Sequence, residues 1–202
     1  MTALGSEDLQ LFLGLLLFFG LIAYAIFRRG EREHRWRPKL QSGSTLNIPP
    51  GHYFTARVAR VIDGDTVDVT TKGRRIRIRL DSIDCPEDGQ DWGDVATHGL
   101  IKLIGGKSVS LQYHGLDHHG RTLATIYLSQ DRGAQMVNVN ERMVALGHAW
   151  VMRQFYNHLP RDRQVSLNRI EAWARSKKVG LWRVAKPTPP WKWRQSNRID
   201  FC

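Results

Sequence analysis

The feature that most constrains this chain is the stretch from Val61 to Glu87, where a strand-like pattern lies between two acidic segments. From Arg75 to Leu80, aliphatic residues alternate with arginines. Alternate side chains of a β-strand point to opposite faces, so the pattern predicts an aliphatic face and a guanidinium face. Asp65 precedes this strand and Asp84 follows it. A sheet can bring such groups together, which suits a site where a divalent cation meets a phosphate.

The chain is strongly basic, with 30 lysines and arginines against 19 aspartates and glutamates in 202 residues and a formal net charge of +11. This excess favours polyanionic partners, nucleic acid first and anionic lipid second. The length suffices for one domain with a core, plus appended segments. Two cysteines, Cys85 and Cys202, do not make a disulfide framework, so cysteine usage leaves the redox compartment open.

The N-terminal segment from Leu9 to Phe27 has no charged residue. About twenty such residues cross a bilayer as a helix, so residues 1–28 are predicted to form a transmembrane anchor. A cleavable signal peptide is the alternative, because Ala23-Tyr24-Ala25 has the small-x-small pattern of a cleavage site. Glu7 and Asp8 precede the apolar run, and this is the wrong charge for the front of a signal peptide. An uncleaved, single-pass anchor is therefore favoured.

The rest of the chain divides by composition into three parts. Residues 29–50 are predicted to form a basic, flexible linker that ends in Pro49-Pro50. Residues 51–183 are predicted to form the folded domain, and residues 184–202 a tail rich in proline, tryptophan and arginine. Five strands, with one helix inside the series and two after it, predict a small closed sheet rather than a parallel βαβ array. The predicted strands are Tyr53–Ile62, Thr66–Thr70, Arg75–Ser82, Lys107–Tyr113 and Thr122–Ser129, and the predicted helices are Thr97–Ile104, Val139–Trp150 and Ser166–Lys177.

The carboxylates at either end of the arginine-bearing strand are the candidate chemical groups. Asp65 and Asp84 offer hard oxygen ligands, which suit Ca²⁺ or Mg²⁺ better than Zn²⁺. Glu87 follows Asp84 by three positions, and a carboxylate there could take a proton from water, a role worth about 10²- to 10⁴-fold in rate. The alternative is that these aspartates only serve turns, and for Asp63 turn chemistry is the better explanation.

Two arginines are candidates for holding a phosphate. Arg79 lies on the strand that leads to Asp84, and Arg121 begins another strand. A guanidinium group binds two phosphate oxygens at once and would neutralise charge that develops on the phosphorus. Arg75 and Arg77 are expected to form surface pairs with aspartates or to attract phosphate diffusely.

Histidines raise the alternative of a zinc site formed by His114, His118 and His119 with Asp117 beside them. Adjacent histidines on one loop rarely point at the same metal, and the two cysteines are in the wrong places for ligands. Zinc at that set is therefore disfavoured. A histidine in this loop could instead donate a hydrogen bond to a phosphate.

Three separated segments together resemble the signatures of the staphylococcal nuclease family: Ile62–Val67, Arg79–Glu87 and Asp117–Arg121. The similarity covers roughly residues 52–182. It implies an α+β fold with a five-stranded OB-type β-barrel and about three helices. It also implies Ca²⁺ as cofactor and cleavage of phosphodiester bonds in DNA and RNA that leaves 3′-phosphates.

The resemblance also implies roles for single residues. It makes Asp65, Asp84 and the backbone carbonyl of Cys85 metal ligands, Glu87 the base that activates water, and Arg79 and Arg121 the catalytic phosphate-binding groups. Family enzymes commonly have threonine where Cys85 stands. His118 and His119 replace a Lys-Tyr pair of the best-known member, so substrate binding is assigned to these histidines as a prediction.

The resulting hypothesis is a membrane-anchored, Ca²⁺-dependent endonuclease with low sequence specificity and no obligatory protein partner. One alternative is a non-catalytic OB-fold module that binds single strands by aromatic stacking. Another is a membrane scaffold whose basic linker binds lipid. The side of the membrane stays open: basic residues after the apolar segment favour a cytoplasmic domain, whereas a calcium requirement favours an extracytoplasmic one.

Overall fold

The structure is a computed structural model that describes residues 49–129 and 136–197. The predicted anchor, nearly all of the predicted linker and Cys202 lie outside these residues. Within the described part of the chain, every helix is too short or too polar to cross a bilayer. The anchor therefore stays a prediction.

Eight strands and four α-helices make up the described residues. The strands are β1 (Tyr53–Val61), β2 (Thr66–Thr71), β3 (Arg74–Leu80), β4 (Ile83–Asp84), β5 (Ser108–Leu116), β6 (Thr122–Ser129), β7 (Met136–Asn138) and β8 (Trp150–Val151). The helices are α1 (Gly93–Ile104), α2 (Val139–Ala145), α3 (Arg161–Ser176) and α4 (Pro190–Ser196). Short 3₁₀ turns occupy Arg153–Phe155 and Gly180–Arg183.

Five of the strands close into a barrel, which confirms the predicted fold class of a five-stranded barrel with several helices. The strand order is β3-β2-β1-β5-β6, with antiparallel neighbours. A parallel pairing of β3 with β6 closes the sheet, and Leu80 lies opposite Ala124 in it. The short strand β7 adds to the outer part of β6. Closure removes the free sheet edges that would otherwise invite pairing with other chains.

The alternation on β3 has the predicted consequence. Its aliphatic residues are buried in the barrel, and its arginines are only partly covered on the other face. The barrel core is completed by aliphatic residues of the neighbouring strands and of α1 and α2. Its fully buried members include Val67, Ile78, Leu80, Leu100, Leu111, Ile126 and Met143.

A two-stranded sheet of β4 and β8 lies beside the barrel and supports the acidic loop. Asp84 pairs with Trp150 and Ile83 with Val151. Glu171 of α3, only 1% exposed, accepts a hydrogen bond from the Val151 N–H at 2.9 Å. Its carboxylate also pairs with Arg153 at 2.6 Å. Helix α3 thereby fixes β8, and β8 fixes the backbone at Asp84.

The helix predicted over Val139–Trp150 is too long. Helix α2 ends at Ala145, and Trp150 belongs to β8. Gly147 has a φ of +65°, and an added Cβ there would lie 2.2 Å from the Val179 carbonyl oxygen. The chain must leave the helix at this point because Gly147 packs against the Val179–Gly180 backbone.

The bounds of other helices also differ from the prediction. Helix α1 begins at Gly93 rather than at Thr97. Helix α3 begins at Arg161, directly after Pro160, rather than at Ser166. The predicted tail contains a fourth helix, α4, which begins with Pro190 at its first turn. Proline suits a first helical position because its fixed φ is helical and its missing N–H would have no partner there.

Candidate active site

Asp65 lies at the end of a tight turn and points into the protein. The Asp63 carboxylate accepts a hydrogen bond from the Asp65 N–H at 2.9 Å, so Asp63 serves the turn. Asp65 is buried, and its Oδ2 accepts from the Cys85 N–H at 2.8 Å. Gly64 allows this approach, because an added Cβ would lie 2.7 Å from the Cys85 Cβ. The turn and the acidic loop are thus joined across twenty residues of sequence.

Arg79 connects the two acidic segments. Its Nε lies 3.1 Å from Asp65 Oδ1, and its Nη2 donates to Asp84 Oδ1 at 2.7 Å. Its Nη1 donates to the carbonyl oxygens of Leu80 and Ile83, each at 2.7 Å. The structure therefore brings Asp65, Asp84 and Arg79 together, and one guanidinium group holds both carboxylates.

Burial disfavours the charged forms of both carboxylates. Burial raises the pKa of Asp65 to about 6; the guanidinium of Arg79 opposes the shift, and the charge of Asp63 adds to it. Burial also raises the pKa of Asp84, and the neighbouring charge of Asp65 raises it further. Two buried carboxylates whose charged forms are disfavoured gain from a further cation.

The donor set fits a hard divalent cation. Asp65 and Asp84 supply carboxylate oxygens, and the Asp65–Cys85 hydrogen bond holds the Cys85 backbone beside them. The Cys85 thiol donates to the Gly64 carbonyl at 3.2 Å, and burial raises its pKa well above the usual value. The thiol is therefore neutral and engaged elsewhere, which leaves oxygen as the donor type that this cluster offers.

Glu87 lies at the end of the same loop, where α1 approaches. Its N–H donates to the Gln90 side-chain oxygen at 3.0 Å, and its carbonyl accepts from the Gln90 N–H at 3.1 Å. At Gly93 an added Cβ would lie 2.1 Å from the Glu87 carbonyl oxygen, so only glycine permits this approach. The Glu87 side chain is 37% exposed and lies near water.

Arg121 directly precedes β6 (Thr122–Ser129), the strand that pairs with β3. The register sets Leu123 opposite Arg79, so Arg121 lies two residues before that position on the adjacent strand. Its Nε donates to Asp117 Oδ2 at 2.7 Å, and Asp117 Oδ1 accepts from the N–H groups of His119 and Arg121. Its side chain is 33% exposed.

His118 and His119 lie at the exposed tip of the same turn. Their ring centroids are 3.8 Å apart. His114, which the disfavoured zinc hypothesis grouped with them, instead lies beside His158, with ring centroids 5.0 Å apart. On β3, Arg77 pairs with Asp68 at 2.9 Å, as expected for a surface arginine.

Arg194 is the residue at this site that sequence reasoning missed. It belongs to α4 and donates to Asp84 Oδ2 at 2.9 Å and to the Glu87 carboxylate. The residue lies 107 positions after Glu87, in a tail for which the sequence did not decide whether it packs on the domain. Its charge was visible in the sequence, but its partners were not.

Comparison with known proteins defines the family. The family model described as "Staphylococcal nuclease homologue" matches residues 77–184, more than half of the chain. The chain belongs to the staphylococcal nuclease family. The matched residues include Arg79, Asp84, Glu87 and Arg121, whereas Asp65 precedes the match and Arg194 follows it.

Several bacterial relatives of this staphylococcal nuclease family member align over most of their length. An "Uncharacterized endonuclease" of Escherichia coli O157:H7 is 42% identical over 138 residues, 68% of this chain and 83% of the relative. A "Micrococcal nuclease" of Shigella flexneri is 36% identical over 156 residues, 76% and 87% of the two chains. An "Uncharacterized endonuclease" of Haemophilus influenzae is 37% identical over 149 residues, which are 73% of this chain and 77% of the relative.

Proposed function

We propose that this protein is a metal-dependent endonuclease that hydrolyses phosphodiester bonds of DNA and RNA with little sequence specificity. The names of the bacterial relatives support nuclease activity. The observation that carries the proposal is the convergence of Asp65 and Asp84 on Arg79, with Glu87 on the same loop. Both carboxylates keep raised pKa values although Arg79 pairs with them, so a further cation would stabilise their charged forms.

Calcium is the proposed cofactor. Asp65, Asp84 and the Cys85 carbonyl would hold the ion, and their oxygen donors suit Ca²⁺. When bound, the cation supplies positive charge to the scissile phosphate and so stabilises the charge that develops during displacement. The raised pKa values of Asp65 and Asp84 support this assignment, because both carboxylates favour ionisation more strongly once a cation is near.

Glu87 is the proposed general base. Its carboxylate accepts a proton from water, and the resulting hydroxide attacks the phosphorus on the side opposite the leaving oxygen. The bond from phosphorus to the 5′-oxygen breaks, and that oxygen takes a proton from solvent, leaving a 3′-phosphate. Arg121 binds the non-bridging phosphate oxygens and neutralises their charge in the transition state.

Low sequence specificity follows from the type of contact. The proposed contacts are to phosphate, which every nucleotide carries, and the net charge of +11 adds non-specific attraction. His118 and His119, exposed on the turn before Arg121, are proposed to extend this surface along the substrate backbone.

A non-catalytic OB-fold module that binds single strands is the second candidate. The barrel itself is compatible with both functions. The residues proposed for chemistry favour the enzyme, because a binding module needs no buried acidic pair beside a carboxylate on a loop. These residues are Asp65, Arg79, Asp84, Glu87 and Arg121.

Metal dependence of cleavage tests the proposed function. The full-length chain is incubated with denatured DNA in Ca²⁺, and in buffer with chelator. Cleavage is expected with Ca²⁺ and its loss is expected with chelator, while Asp84→Asn should weaken Ca²⁺ binding measured by calorimetry. Asp91→Asn, an exposed aspartate beyond the loop, is the matched control. Binding of DNA without cleavage in any metal would favour the second candidate.

Membrane attachment is a further part of the proposal and rests on the apolar segment from Leu9 to Phe27. The domain would then act close to a membrane surface. Fractionation of cells that express the full chain should place it with membranes, and deletion of residues 1–28 should release it. Protease treatment of intact cells then reports the side on which the domain lies.

A further inference from the structure

A second group of side chains that could hold a metal ion shares no residue with the carboxylate pair. Asp81 follows β3, His114 belongs to β5, and His158 precedes α3. Their ligand atoms all lie within 4.8 Å of one another. Three separate parts of the fold therefore converge on this point, which no short sequence motif could indicate.

The group borders a cavity of about 530 Å³. Asp81 is buried, His114 is half-buried and His158 has a side chain that is 39% exposed. Polar side chains of the cavity wall include Tyr53, Gln112 and Glu141. The cavity has room for an ion and water beside the three donors.

We propose that Asp81, His114 and His158 bind Zn²⁺ or a related transition-metal cation, with at least one position open to water. Two imidazoles and one carboxylate are a donor set typical of such cations, whereas Ca²⁺ prefers oxygen donors alone. This set differs from the disfavoured group at the turn, because its two histidines lie on different elements and face one carboxylate. The protein then carries two cation sites of different chemistry.

Asp81 and His158 already contact each other, and His114 contacts Thr125 on the cavity wall. His158 Nε2 lies 2.9 Å from Asp81 Oδ2, and His114 Nε2 lies 2.8 Å from Thr125 Oγ1. Ser82 donates its hydroxyl to Asp81 Oδ2 at 2.6 Å. With zinc bonds of about 2.0–2.1 Å, donors around a tetrahedral ion lie roughly 3.3 Å apart. A bound ion would replace the direct His158–Asp81 contact, and the Ser82 hydroxyl would orient the Asp81 carboxylate from outside the ligand set.

Titration of the metal-free, full-length chain with Zn²⁺ and Co²⁺ tests the proposal. One equivalent of Zn²⁺ should bind by calorimetry, and Co²⁺ should give visible absorption bands of a four- or five-coordinate ion. His158→Ala and His114→Ala should each weaken Zn²⁺ binding at least about tenfold, since each removes a direct ligand. His98→Ala, which removes an exposed histidine of α1, is the control and should bind Zn²⁺ with the same affinity as the unaltered chain.

The His158 variant decides the outcome, because its side chain is partly exposed and its loss should leave the fold intact. Unchanged Zn²⁺ binding in His158→Ala, with normal circular dichroism, would contradict the proposal. Absence of stoichiometric binding in the unaltered chain would also overturn it, and Asp81–His158 would then be an ion pair only.

Helix α4 places Arg194 against Asp84 and Glu87, and the inference from this contact rests on the proposed nuclease function. The tail is docked by several contacts. Gln90 donates its side-chain N–H to the Thr188 carbonyl at 2.7 Å, Pro190 is buried, and the ring of Trp191 meets Trp150 edge-on with centroids 6.3 Å apart. These contacts hold Arg194 over Asp84 and Glu87.

We infer that Arg194 competes with the cation for the acidic site and holds Glu87 when no metal is bound. Asp84 and Glu87 would serve as metal ligand and base, and one guanidinium group pairs with both. A cation that takes Asp84 must displace this guanidinium or share the carboxylate with it. The tail thereby lowers the apparent affinity for the cation and ties the proposed base to α4.

Calorimetric Ca²⁺ titration of the full-length chain separates this inference from the proposed function. Arg194→Gln should bind Ca²⁺ about two- to fivefold more tightly than the unaltered chain, the range expected when one partly exposed ion pair no longer competes. Lys192→Gln removes an exposed charge from the same helix and should leave the affinity unchanged. Equal affinities in Arg194→Gln and the unaltered chain would overturn the inference alone. Absence of Ca²⁺ binding in both would overturn the proposed cation site as well.

Discussion

Arg79 lies on β3 and Arg121 lies directly before the adjacent strand β6, yet the surroundings of the two side chains differ. The side chain of Arg79 is 13% exposed, and its nitrogens contact two carboxylates and two carbonyls. Arg121 has one side-chain partner within residues 49–129 and 136–197, the Asp117 carboxylate. Arg79 is thus built into the acidic cluster, whereas the outer nitrogens of Arg121 are available to a ligand. A guanidinium can hold the site together or bind substrate, and the two duties need different degrees of burial.

The largest effect is expected from Arg79→Ala. Two buried carboxylates would lose their shared partner, and breaking a buried ion pair costs about 3–5 kcal/mol in free energy of unfolding. Cleavage should be lost together with stability. Urea unfolding at pH 8 measures the cost, and exposed Arg74→Ala, on the same strand, should stay within about 0.5 kcal/mol of the unaltered protein. A fully stable Arg79→Ala would remove the contrast between the two arginines.

A smaller effect on stability but a large effect on rate is expected from Arg121→Ala. Loss of a charged group that stabilises the transition state typically lowers the rate by about 10²- to 10³-fold. Its ion pair with Asp117 is partly exposed, so the free energy of unfolding should fall by less than about 1 kcal/mol. Rate and urea stability measured on the same preparations would check both parts. A loss of stability equal to that of Arg79→Ala would contradict the comparison.

The smallest effect is expected from Asp117→Asn, which keeps the turn but removes the charge beside Arg121. Hydrogen bonds from the backbone and side chain of Arg121 outweigh partial burial and lower the pKa of Asp117 in the folded protein. A lowered pKa stabilises the fold above the unfolded value of 3.8, and that contribution is lost as pH falls through the folded value. At pH 7 the free energy of unfolding of the unaltered protein should therefore exceed that of Asp117→Asn by less than about 1 kcal/mol.

Measurement of unfolding at pH 7, 5 and 3 tests the sign of this effect. The difference between the two proteins should be constant from pH 7 to pH 5 and should shrink towards pH 3. A difference that grows on acidification would show that Asp117 is not held in its charged form by Arg121.

Local patterns predicted most of the barrel. The alternation of aliphatic residues and arginines on β3 predicted its buried and outward faces. The five long strands lie within a few residues of their predicted bounds. The grouping of Asp65, Asp84 and Arg79 was also predicted, because they flank or occupy one strand and the family resemblance joined them.

Contacts that depend on how separate helices and strands dock could not be predicted. The helix expected to reach Trp150 ends early because Gly147 packs against Gly180, and Trp150 then pairs with Asp84. Arg194 and the Asp81–His158 contact depend on how separate elements dock, which local composition does not encode. The different burial of Arg79 and Arg121 could not be predicted either, because it also depends on how separate elements dock.

The most direct test of the account is the rate at which Glu87→Gln cleaves denatured DNA in Ca²⁺, relative to Asp88→Asn. The substitutions are neighbours on one loop, and each replaces a carboxylate by an amide. A loss of about 10²-fold or more in Glu87→Gln, with Asp88→Asn close to the unaltered chain, is the predicted result. Equal rates in the two variants would contradict the proposal that this loop supplies the base of a nuclease.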